Sequence, residues 1–74
     1  MKEDAGKRLL ARVLFCACAE ARSLTKGRKT LGLHAEEAET LLNALTREAA
    51  EPLFRVTNGV FTLTDAGIQR FRKW

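Results

Sequence analysis

Residues that carry chemistry are scarce in this chain. Its 74 residues include two cysteines, one histidine and one proline. Cys16 and Cys18 are two apart on a predicted helix, so their side chains point roughly opposite ways. They can neither close a sound intrahelical disulfide nor chelate one metal together. They read as two small apolar residues at the edges of a helix face. A zinc site needs more ligands than His34 alone supplies, so no metal and no cofactor is expected. Nothing nominates a nucleophile or acid to work against His34. The chain has no phosphate loop, no dinucleotide fingerprint and no convincingly spaced pair of catalytic carboxylates. Its length leaves little room for a deep substrate cleft. These absences argue against an enzyme.

Long apolar runs are missing too, and no stretch suits a bilayer span. The opening MKEDAGKR carries two acids and makes a poor secretory signal, so a cytoplasmic protein is expected. There is no repeat, low-complexity run or linker, and residues 1–74 read as a single domain. With 46% hydrophobic residues the chain is not a disordered tail, although its size allows only a modest core.

Charge is unevenly distributed. Residues 1–33 sum to +5, residues 34–52 to −4 and residues 53–74 to +3. An acidic central element thus lies between two basic ones.

The first helix is expected from about Asp4 or Ala5 to Arg22, with Asp4 as N-cap. Leu9, Leu10, Val13, Leu14, Ala17 and Ala21 form a broad stripe that can face the core. On that reading Phe15 falls on the far side, beside Arg8, Arg12 and Arg22, where it offers a second contact surface. Ser23 or Thr25 can cap a short basic helix reaching about Leu31, with Gly32 as its C-cap or turn residue. Leu24, Leu31 and Leu33 are its expected anchors.

The clearest pattern lies between Thr30 and Thr64. In Ala35 to Ala50, the residues Ala38, Leu41, Leu42, Leu45 and Ala49 recur at helical spacing. Glu36, Thr40, Asn43 and Arg47 line the opposite face, and His34 stands where an imperfect cap would. Pro52 stops this helix. Leu53 to Val56 and Val60 to Leu63 then flank Thr57, Asn58 and Gly59, and Asn-Gly between β-prone runs signals a hairpin. Alternation groups Leu53 and Arg55 with Phe61 and Leu63, and sets Phe54, Val56, Val60 and Thr62 on the other faces of their strands. Thr64 reads as the N-cap of a last helix, Asp65 to about Lys73, whose Ile68 and Phe71 can pack inward. Gly67 marks a close approach to the hairpin. Trp74 is either a lid on the core or an exposed aromatic.

These pieces, in this order and spacing, resemble the winged helix-turn-helix superfamily of bacterial and phage transcriptional regulators. Those that carry the resemblance are Leu24-Thr25, Thr30-Leu31-Gly32-Leu33, the third-helix stripe, Leu53-Phe54-Arg55, Val60-Phe61-Thr62-Leu63-Thr64 and Gly67. The resemblance covers nearly the whole chain. It implies an α+β fold: three helices, a β-hairpin wing and a short C-terminal helix. It also implies duplex DNA binding, with the third helix in the major groove. The reading positions it implies are Ala35, Glu36, Glu39, Thr40 and Asn43. Phosphate contacts would come from Lys26, Arg28, Lys29, Arg47 and Arg55. The chain departs from the pattern in the glutamates of its third helix and in a wing loop without a basic residue.

Two functions follow. The first is a small DNA-binding regulator or accessory factor, with a dimer through the first and last helices using Phe15 and Trp74. The second is a protein-interaction winged helix. It would dock on a basic partner through the acidic third helix, with Glu36, Glu37, Phe15 and Trp74 as contact residues.

Overall fold

The computed structural model describes the backbone of residues 2–74 and side chains from Gly6 onward. The order is α1 (Lys2–Ala21), α2 (Leu24–Thr30), α3 (Ala35–Ala49), β1 (Phe54–Thr57), β2 (Val60–Leu63) and α4 (Asp65–Lys73). This is the expected topology, with a helix-turn-helix-like arrangement followed by a two-stranded antiparallel hairpin and a short last helix. Helix α1 already includes Asp4, and the capping role expected of that side chain lies outside the described residues.

Each junction has an identifiable cause. At the end of α1, Arg22 adopts a left-handed φ of 54°. The Ser23 N–H then donates to the Cys18 carbonyl at 3.1 Å, which closes the helix. The Arg22 carbonyl accepts from the Phe61 N–H at 3.0 Å and ties this junction to the hairpin. Ser23 caps α2, its Oγ accepting from the Lys26 N–H at 3.2 Å. Gly32, at φ 69°, ends α2 as expected. The Gly32 and Leu33 N–H groups donate back to the carbonyls of Lys29 and Arg28, the paired bonds of a Schellman turn. Thr64 caps α4 by accepting from the Gly67 N–H at 3.1 Å, and its hydroxyl donates to the Pro52 carbonyl at 2.7 Å.

One core joins α1, α3 and the hairpin. Its buried side chains are Ala11, Leu14, Phe15 and Cys18 of α1, Ala38, Leu42 and Leu45 of α3, then Leu53 and Phe61. Phe15 is 0% exposed. Its ring meets Phe61 edge-on at 5.9 Å and Trp74 edge-on at 5.4 Å, geometries that suit the aromatic quadrupole. Phe54 stacks on Phe61 at 4.9 Å. Two glycines permit close crossings. A Cβ on Gly27 would stand 2.7 Å from the Cys18 Cα, and one on Gly67 would overlap the Leu53 carbonyl. The close approach expected at Gly67 is therefore present.

Three expectations are corrected. Helix α1 is rotated so that Phe15, placed on the far side by the sequence pattern, is at the centre of the core. Leu9, Leu10 and Val13 instead reach solvent. The helix is apolar on both faces, so its own pattern does not select one. The aromatic partners Phe61 and Trp74 favour the face with the larger ring. The hairpin also has a two-residue loop, because Thr57 pairs with Val60. Asn58 and Gly59 both take positive φ, 51° and 79°, as a type I′ turn requires. Phe54 pairs with Leu63 and Val56 with Phe61, so these four share a face. Arg55 and Thr62 lie on the other. A loop that included Thr57 would shift the register by one residue and pair the opposite faces of the two strands. In α4, Phe71 packs against the core but Ile68 is exposed, because the Gly67 side of the helix is the one pressed on the hairpin.

Candidate nucleic-acid interface

Helix α3 buries one side and presents the other. Ala38, Leu42 and Leu45 are buried, while Ala35, Glu36, Glu39, Thr40, Asn43 and Arg47 are all exposed. The outward stripe is stiffened from within. The Thr40 hydroxyl donates to the Glu36 carbonyl at 2.9 Å, which leaves its oxygen able to accept. Glu37 is exposed, yet its Oε1 accepts from the His34 N–H at 3.2 Å. That carboxylate closes the helix start, where the dipole favours an anion.

The basic residues of α2 are not equivalent. Lys26 and Lys29 are exposed. Arg28 is half-buried, and its Nη1 donates to the Leu33 carbonyl at 3.2 Å. It stitches the turn between α2 and α3, and only its remaining donors are left for a ligand. Arg55 is exposed on the outward face of the hairpin.

Thr40 and Arg47 also line a groove of about 490 Å³ between α1 and α3, together with Lys7 and Arg8. Arg8 pairs with Glu48 across it at 3.5 Å. Sequence reasoning did not include Lys7 and Arg8 in the site. Their presence there follows from the rotation of α1, which the apolar pattern of that helix misplaces.

Of the residues expected at a partner interface, Glu36 and Glu37 are exposed, Trp74 is half-buried and Phe15 is enclosed. Phe15 has no surface to offer, which corrects its assignment as a contact residue. Trp74 covers Phe15, and the Arg12 guanidinium sits over its ring at 5.3 Å.

Both cysteines are free. Burial pushes the Cys18 thiol up to about 11, and its Sγ lies 3.8 Å from the Leu24 carbonyl. Cys16 is raised as well, by burial and then by the carboxylate of Glu20. Neither is poised as a thiolate at neutral pH. Among the described residues no group of three or more His, Cys, Asp or Glu stands ready for a metal. No described helix is long and apolar enough to cross a membrane.

No protein-family model, curated protein or solved structure matches this chain.

Proposed function

We propose that this chain is a small winged-helix DNA-binding protein, a cytoplasmic transcriptional regulator or accessory factor with no catalytic role. The observation that carries the reading is the outward stripe of α3. Thr40 and Asn43 stand exposed on a helix anchored by its opposite face, in an arrangement like that of a helix-turn-helix. A helix of this width fits the major groove, where amide and hydroxyl side chains read base edges. Lys26 and Lys29, exposed on the preceding helix α2, supply backbone neutralisation, and Arg47 and Lys7 add cations along the α1–α3 groove, where Arg8 is paired with Glu48. Arg55 does the same from the hairpin. One glutamate at the start of α3 is compatible with reading cytosine, which offers an amino donor.

Replacing Lys26 and Lys29 together by alanine tests this. Arg28 is a poor choice, because its loss also removes the bond to Leu33. The double variant is expected to bind all duplex sequences more weakly by about the same factor, with the salt slope reduced by roughly 2. Unchanged binding would remove α2 from the interface.

A second reading has its own observation. Glu36 and Glu39 are both exposed on the α3 face, and the turn of the hairpin is Asn58-Gly59, without a cation. An acidic helix face of this kind suits a basic protein partner. Charge reversal of Glu36 and Glu39 separates the two readings. It strengthens binding to mixed-sequence duplex DNA in the first and abolishes partner binding in the second.

A further inference from the structure

Helix α1 has a second apolar face, turned away from the core. Leu9 is 64% exposed and Val13 44% exposed. These two line a groove of about 820 Å³ with Cys16 and Ala17, bordered by Leu31 at the end of α2 and by Trp74. Side chains of this size in one stripe of so small a chain are more than scattered surface residues. The charges in the groove are of both signs. Arg12 and Glu20, two turns further along α1, line it, and Lys73 of α4 stands at its border.

We propose that this groove is the interface for a second copy of the chain, with α1 packed antiparallel on α1 of the partner. The groove is self-complementary. A two-fold axis makes each residue meet its counterpart in reversed order. If the axis passes between Val13 and Cys16, each Val13 packs on the other copy's Cys16. Each Glu20 then lies within one helical turn of the other copy's Arg12. The apolar stripe is covered and opposite charges meet twice. A parallel pairing would set Arg12 on Arg12 and Glu20 on Glu20. The stripe from Leu9 to Glu20 is only about 16 Å long at 1.5 Å per residue. The interface therefore belongs to the small class, below about 1,200 Å², and the dimer is concentration-dependent. The proposal stands apart from DNA binding, since none of these residues belongs to the α3 stripe.

Sedimentation velocity of the full chain over about a hundredfold range of concentration reads this directly. The expected result is a rise from the 8.3 kDa monomer to twice that mass. Val13→Glu places a charge at an exposed position, so the fold is expected to be retained by circular dichroism while the protein stays monomeric. Glu20→Arg and Arg12→Glu are each expected to weaken association roughly fivefold to tenfold. An equimolar mixture of these two variants is expected to recover it, because opposite charges face each other again in the mixed pair. A wild-type chain that stays monomeric throughout would overturn the proposal and assign the groove another occupant. Association unaffected by Val13→Glu, or a mixture no stronger than its components, would overturn it equally.

Discussion

Helices α1 and α3 are the two long helices of the fold, and they reach the same core by different means. Helix α3 is apolar along one side and polar along the other, so only one rotation buries its leucines without burying charge. Helix α1 is apolar on both sides, with Ala11, Leu14, Phe15 and Cys18 buried and Leu9, Leu10 and Val13 exposed. Its rotation is decided by its neighbours. Phe61 and Trp74 receive Phe15, and Gly27 leaves room for the backbone at Cys18. Amphipathic pattern alone orients a helix only when one face is too polar to bury.

The difference between the two faces of α1 can be broken by mutation. Phe15→Ala is expected to have the largest effect, about 3–5 kcal/mol, because it empties the centre of the core and strands Trp74. Leu9→Ala on the opposite face is expected to stay within about 0.5 kcal/mol. Chemical denaturation of both variants at low protein concentration measures the contrast. Equal effects would mean that the helix is turned otherwise.

The hairpin depends on a close approach, where α3 depends on pattern. Gly67→Ala is expected to cost about 2 kcal/mol, although alanine is the better helix former, because its Cβ would overlap the Leu53 carbonyl. Circular dichroism with thermal melting would show this as a lowered midpoint. Thr64→Ala is expected to cost about 1 kcal/mol, since it removes the cap of α4 and the bond to the Pro52 carbonyl together. A smaller and opposite effect is expected at Gly6. It lies in α1, and a Cβ added there would meet nothing within 4 Å. Gly6→Ala is therefore expected to raise stability by about 0.5–1 kcal/mol, read from the same denaturation curves.

Much of this architecture is legible in the sequence. Asn58-Gly59 announces the turn, Thr64 the start of α4, Gly32 the end of α2, and the leucines of α3 its buried side. Each is a local signal with one physical solution. The rotation of α1 is not legible, because Leu9 and Phe15 compete for the core and only the tertiary partners decide between them. The hairpin faces are missed for a related reason. Whether Thr57 belongs to the strand or the loop changes the register by one residue, and a period of two inverts the pattern.

The candidate interface is less legible than the fold. Exposure of Thr40 and Asn43 follows from the α3 stripe. The bond from Arg28 to the Leu33 carbonyl has no sequence signal, since it depends on how the turn presents that oxygen. The capping role of Glu37 is hard to read from the sequence, because histidine stands where the usual capping box has serine or threonine. Lys7 and Arg8 join the groove only once α1 is correctly turned.

The most direct test of the α3 surface as a nucleic-acid interface is a binding titration of the whole protein against mixed-sequence duplex DNA at several salt concentrations. Micromolar or tighter binding at low salt that falls steeply as salt rises is expected, since the affinity comes from phosphate neutralisation. Absence of binding even at low salt would contradict it and turn Glu36 and Glu39 toward a basic protein partner.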